Sequence, residues 1–167
     1  MLEDPAANRI KILFNLDPSD WHGSSTETLW AERVATLSDG AYKLLNTPFF
    51  MKGVSFMDTV RAKPAQDDGF PEFIEVISLG GHSTYRLLVP PDRAKDFNAW
   101  WAKLEREGCS FESSSIKVSL GPRMLYAVDI PVHGDVREVY AILEEGESAG
   151  IWVFEEGHVG HNLDPTH

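Results

Sequence analysis

Two stretches of this chain repeat apolar residues at helical spacing, and they constrain what the rest can be. Phe97, Trp100, Trp101 and Leu104 fall at i, i+3, i+4 and i+7, and so do Val136, Val139, Tyr140 and Leu143. Each set makes one apolar stripe on an amphipathic helix, and a stripe of that kind must be buried against another element. Both helices carry end signals. Pro90-Pro91 and Asp92 open the first, and Gly108 closes it. Asp135 and Glu138 stand at capping-box spacing before the second, and Gly146 is placed to end it.

The stretches around these helices read as the sheet they cover. Ser83–Val89, Cys109–Leu120, Met124–Val132 and Ile151–Phe154 read as strands. Gly121-Pro122 supplies the turn between the middle two, and Pro131 ends the one expected to be central. The order from Ser83 onward is therefore β-α-β-β-α-β. That is the split, ferredoxin-like order, an antiparallel four-stranded sheet with both helices on one face.

Before Ser83 the period changes. Ile10, Ile12, Phe14 and Leu16 alternate with Lys11, Leu13 and Asn15, as a half-buried strand requires. Leu29, Ala31, Arg33 and Ala35 alternate with Trp30, Glu32, Val34 and Thr36, and Ser38-Asp39-Gly40 is a turn leading back into Ala41–Leu45. That predicts a β-hairpin over 28–45. Val54–Ala62 alternates less cleanly, with a bulge expected at Met57-Asp58, and Glu72–Ile77 alternates again. Short strands with turn signals at this spacing suggest a small curled sheet or an SH3-like barrel. The predicted fold class is α+β: an N-terminal small β-barrel-like unit (9–78) packed on a ferredoxin-like β-α-β-β-α-β unit (79–156). The two are expected to sit close enough to act as one composite domain. Residues 1–8 and 157–167 read as tails.

Charge narrows the partners. The 167 residues carry 15 basic and 26 acidic side chains, a formal net charge of -11. Both halves are acidic, but from Asp135 onward eight acids face one Arg. Such a surface repels phosphate backbones and favours a cationic partner, so nucleic acid is excluded as a partner. The lone Cys109 rules out an intramolecular disulfide and a multi-Cys metal site. No basic-then-apolar leader opens the chain, and no apolar run approaches the roughly 18 residues of a membrane helix. The expectation is a cytoplasmic protein with no membrane contact.

The densest chemistry lies in Gly80-Gly81-His82-Ser83-Thr84-Tyr85-Arg86. His82 and Ser83 have the residue types of a base and a nucleophile, Arg86 that of an anion ligand, and Asp58 that of an orienting carboxylate. The G-x-S-x-G turn that exposes a nucleophile is missing. The other reading is structural: the glycines let the chain cross between units, and the polar side chains satisfy backbone groups at the joint. His82, Ser83, Arg86 and Asp58 are thus candidate ligand-binding residues, and no catalytic residue is assigned. His158 and His161 lie in the expected C-terminal tail without a zinc-type ligand pattern, so neither a metal nor a cofactor is expected. Phe49-Phe50 is expected to plug one end of the barrel or the joint. Glu144, Glu145, Glu147, Glu155 and Glu156 make the most acidic stretch and are the candidate partner-binding residues.

Several of these motifs occur together in a known family. Glu27-Thr-Leu-Trp-Ala-Glu32, Tyr42-x-Leu-x-Asn46-Thr-Pro-Phe-Phe50, Gly53-Val54 followed by Asp58 and Val60, and Gly81-His-Ser-Thr84 followed by Arg86 resemble the bacterial domain-of-unknown-function family 4265. The resemblance spans roughly residues 9–155. Met57 departs from it, standing where the family pattern has Gly. The resemblance implies a compact bacterial protein of unassigned activity, and by analogy with similar small families an immunity protein against a secreted toxin. It carries over no functional residue.

Three functions follow as expectations. The first is a non-enzymatic acidic binding protein, most concretely an immunity-type inhibitor that occludes a basic toxin or nuclease. The second is a regulatory module that binds a small anionic ligand at the joint around His82, Ser83 and Arg86. The third is a hydrolase-like enzyme using His82.

Overall fold

The computed structural model describes residues 8–35, 37 and 40–163. The expected turn residues Ser38 and Asp39, residues 1–7 of the first expected tail and residues 164–167 of the second lie outside the described residues.

The first 78 residues form five strands: β1 (Arg9–Asn15), β2 (Thr26–Arg33), β3 (Ala41–Leu44), β4 (Thr59–Lys63) and β5 (Glu72–Ser78). Each pairs antiparallel with the next. The sheet then closes on itself, because β5 returns to β1 through one parallel pair, Leu13 with Glu72. The Leu13 N–H donates to the Pro71 carbonyl at 2.8 Å beside that closure. Alternation sends Ile12, Phe14, Leu29, Ala31, Leu44, Val60 and Ala62 into one buried cluster. Burying a side chain the size of Phe14 contributes about 1.5–3 kcal/mol.

The second sheet contains β6 (Ser83–Val89), β7 (Ser110–Val118), β8 (Gly121–Ile130) and β9 (Val153–Val159). Its spatial order is β7-β8-β6-β9, and every neighbouring pair is antiparallel. A 3-10 turn (Pro91–Arg93) leads into α1 (Ala94–Arg106), and α2 (Val136–Ser148) joins β8 to β9. Tyr85, Leu87 and Val89 from β6 share a core with Phe97, Trp101 and Leu104 of α1 and Val139, Ile142 and Leu143 of α2. Both helices therefore pack on the face formed by odd-numbered β6 residues. The even-numbered residues, Thr84 and Arg86, point the other way, towards the first unit, and are almost fully buried there. The fold is mixed α+β, with two antiparallel sheets and two helices.

Four local expectations need correction. Val54–Ala62 is not one strand: only Thr59–Lys63 pairs, because Met57 adopts a left-handed conformation (φ 73°) that ends any extended run. The strand expected from Met124 begins at Gly121, which makes Ser119-Leu120 the turn. Gly146 does not end α2. The helix continues to Ser148, and Gly146 is a buried interior residue on which the Trp152 indole lies; an added Cβ would collide with that ring. Finally, the last strand extends beyond its apolar run to Val159: His158 and Val159 are paired with β6, and Gly157 sits at the register shift between them and Glu156, so these residues belong to the strand rather than to a tail.

Candidate functional site

The site is built around the loop that joins β3 to β4 and lies across the even-numbered face of β6. Two oppositely charged side chains hold its backbone. Glu27, on the inward parity of β2, accepts from the Phe49, Phe50 and Met51 N–H groups at 2.6, 3.1 and 2.8 Å. Arg86, only 1% exposed, donates to the Met51 carbonyl at 3.0 Å, the Phe50 carbonyl at 3.1 Å and the Pro48 carbonyl at 3.4 Å. Its Nε donates to Glu155 Oε1 at 2.9 Å. A buried guanidinium is tolerated only when its charge is paired and its donors are used, and here both conditions hold. Gly157 lies against the same group, since a Cβ there would come within 2.8 Å of an Arg86 terminal nitrogen.

Asp58 fastens the other end of the loop. Its carboxylate accepts from the Ser55 N–H at 2.9 Å and from the Gly80 N–H at 2.8 Å, which ties the first unit to the entrance of β6. Burial raises its pKa above the usual 3.8, and the two backbone donors oppose that rise. Ser55 Oγ and Thr84 Oγ1 are 2.7 Å apart, a further bond between the units. Among the residues expected to meet, Asp58 does not orient His82 through a hydrogen bond. His82 Nδ1 instead stands 3.0 Å from both oxygens of Asp129 on β8, with the Phe56 ring edge-on to the imidazole at 5.1 Å. Asp129 is 6% exposed, and burial is the main cause of its raised pKa.

Ser83 faces a different histidine. Its Oγ lies 2.6 Å from His161 Nδ1, and His161 Nε2 lies 2.7 Å from the Pro131 carbonyl. Only one tautomer satisfies both contacts: Nε2–H donates to the carbonyl, and Nδ1 accepts from the serine hydroxyl. The third member of this array is a neutral carbonyl, and Ser83 is fully buried. It is arranged to pin the segment after β9, where His161 is an anchored residue rather than part of a frayed end. Cys109 is buried, and that burial pushes its thiol up to about 12, far from a reactive thiolate.

Two clefts flank the loop on either side of β6. One, of about 260 Å³, is lined by Trp21, Arg86, Leu88, Val153, Phe154 and Glu155. The other, of about 180 Å³, is lined by residues including Leu45, Thr47, Phe56, Ser110, Glu112 and Asp129. Phe50 packs against Trp21 and His22 beside the first cleft, as expected of a plug at the joint. Among the described residues, no group of three or more His, Cys, Asp or Glu side chains is placed to hold a metal ion.

The five candidate partner-binding carboxylates do not form one patch. Glu144, Glu145 and Glu147 are exposed on the last turns of α2. Glu155 is drawn into the joint, where it also accepts from the Trp21 indole N–H at 3.1 Å and pairs with Lys52 at 3.8 Å. Glu156 accepts from the Tyr85 hydroxyl at 3.4 Å.

Much of this joint lies within a region that matches a known family. The family described as "Domain of unknown function (DUF4265)" matches residues 27–154. The chain belongs to that family. Its matched region begins at Glu27, the carboxylate that holds the loop, and includes Asp58, His82, Ser83, Arg86 and Asp129. A solved structure of a hypothetical protein from Neisseria gonorrhoeae is similar to this DUF4265 chain at 18% sequence identity, covering 93% of this chain and 96% of that one with a TM-score of 0.63. That likeness is one of fold. No curated protein matches the chain.

Proposed function

We propose that this DUF4265 member is a non-enzymatic acidic binding protein that docks a cationic protein, most concretely an immunity-type inhibitor that covers the active site of a basic toxin or nuclease. One observation carries the reading. The last turns of α2 hold Glu144, Glu145 and Glu147 with no basic residue among them. Carboxylates at a helix C-terminus oppose the helix dipole and one another, each at a cost of about 0.3–1 kcal/mol. Helix stability does not account for three of them there. A cationic partner does, because it relieves the repulsion and is steered by the same field. The net charge of -11 supports the same direction of steering.

The test uses basic proteins encoded beside the gene. The purified chain should bind one of them with an association rate that falls steeply with salt, and E144Q/E145Q/E147Q should slow association at least tenfold. If none of them binds, or if the triple variant associates at the wild-type rate, the reading is wrong.

Finer statements about architecture belong to the same proposal. The closed five-stranded sheet reads as a small barrel. The order β9-β6-β8-β7, with helices after β6 and β8, supports a ferredoxin-like second unit. The small-molecule reading is favoured by the two clefts that flank β6. Arg86 already donates to four acceptors, however, so the anionic ligand of that reading finds its cation engaged.

A further inference from the structure

The second sheet ends on β9, and part of that strand's outer edge is open. The order β7-β8-β6-β9 leaves β9 paired with β6 on one side. At Gly157 the outer side is taken, because the Gly157 carbonyl accepts from the Gly53 N–H at 3.0 Å. Beside Val153–Glu156 no further strand lies among the described residues. An edge of this kind offers backbone donors and acceptors to an arriving extended chain.

The side chains along this edge sort by face. Val153 and Glu155 stand opposite Leu88 and Arg86 and so face the loop, whereas Phe154 and Glu156 stand opposite Leu87 and Tyr85 and so face the helices. On the loop face lies the cleft of about 260 Å³, with Trp21, Leu88 and Val153 in its lining. Val153 is 55% exposed, and Leu88 is the one residue of β6 that is not buried. Open aliphatic side chains beside an unpaired edge are what a sheet ordinarily avoids, and they mark a place where another chain packs. An apolar side chain on an added strand would cover both of them.

Charge selects the occupant. A second copy of β9 would bring Glu155 and Glu156 close to the same two acids, and two chains of net charge -11 repel each other. A segment with basic side chains is attracted instead, and Glu156 stands exposed on the helix face to receive one.

We infer that the Val153–Glu156 edge takes up an extended segment of a partner polypeptide as an added strand, its side chains alternating apolar and basic. The backbone of the segment pairs with β9, an apolar side chain enters the cleft between Trp21, Leu88 and Val153, and a Lys or Arg lies beside Glu156. The edge is on β9 and not on the end of α2, so it stands apart from the α2 docking reading, and either can fail alone.

The experiment is an amide NMR titration of the full chain at constant ionic strength with the capped pentapeptide Lys-Val-Lys-Val-Lys. The controls are Lys-Ser-Lys-Ser-Lys, Glu-Val-Glu-Val-Glu, and two N-methylated forms of the first peptide, one blocked at the valines and one at the lysines. Saturable shifts are expected at Val153, Phe154, Glu156 and the Trp21 indole. The serine and acidic peptides should bind at least about tenfold more weakly. In a strand, alternate N–H groups point to opposite sides, so one N-methylated form should lose binding and the other keep it. Val153→Lys and Glu156→Lys, both at exposed positions that folding tolerates, should each weaken binding by at least about tenfold. Equal binding of the serine peptide, or loss of binding in both N-methylated forms or in neither, overturns strand addition. Shifts at β9 that depend on protein concentration alone assign the edge to a second copy and overturn the inference, as does the absence of saturable shifts.

Discussion

At the scale of the residue, Met57 makes the sharpest case. It occupies the left-handed region at φ 73°, a conformation that costs a side chain with a Cβ roughly 1–2 kcal/mol. Glycine adopts this conformation without that cost. Because Gly also raises the entropy of the unfolded chain, Met57→Gly should leave stability unchanged or raise it by up to about 1 kcal/mol in urea unfolding. Met57→Val should lower it by more than about 1 kcal/mol, since a branched side chain suits this region least. A second residue-level test concerns pH. The folded-state pKa of Asp58 lies above its ordinary 3.8, so in the window just above 3.8 the folded protein holds more protons than the unfolded chain. The contribution of Asp58 to stability is then full below that window and declines as pH rises through it. Asp58→Asn, which loses one of two acceptors, should destabilise throughout, and the penalty should shrink as pH rises from below 3.8. A penalty that grows with pH would contradict the assigned direction. The residues hardest to read from sequence were those paired across units. Glu27 shares parity with Leu29 and Ala31, and Asp129 interrupts an apolar strand. Both signals mark a buried carboxylate, but neither names its donors, which lie 22–24 and 47 positions away.

At the scale of the element, the apolar periods were legible because each strand or helix has one buried face. Phe97, Trp101, Leu104, Val136, Val139 and Leu143 are buried as the helical spacing requires, whereas Tyr140, expected in the same stripe, is 42% exposed. Ends were less legible, because tertiary packing overrides local signals. Gly146 reads as a helix terminator, yet it serves Trp152, whose indole also donates to the Leu143 carbonyl at 2.9 Å. This reverses the usual sign of a substitution. Gly→Ala inside a helix ordinarily gains about 1 kcal/mol. Here Gly146→Ala should instead lose about 1–3 kcal/mol by overpacking, read as a lower urea midpoint. The C-terminal end of α2 offers the opposite trade. E144Q/E145Q/E147Q should raise the melting temperature, because each change removes a charge that opposes the helix dipole. The same variant should bind its cationic partner more slowly. A variant that is both less stable and equally good at binding would remove the functional argument for these carboxylates.

At the scale of the whole molecule, two sheets meet on one loop. The division of the chain near Ser83 was legible from the change in hydrophobic period. The way the halves are joined was not, because it depends on donors and acceptors brought together by folding. Arg86 illustrates this: its sequence neighbours suggested an anion site, whereas its guanidinium spans to a carboxylate on β9 and to three carbonyls of the loop. If that joint makes the two sheets one cooperative structure, amide protection should be lost together across β2 and β8 as urea rises. Removing one partner of a buried charge pair costs about 3–5 kcal/mol. The decisive measurement is therefore hydrogen exchange of Arg86→Ala against wild type in increasing urea. The expected result is a loss of that size, with protection in β2 and β8 disappearing at different urea concentrations. Arg86→Ala with undiminished stability, and with both strands still exchanging together, would contradict the claim that this charge holds the molecule together.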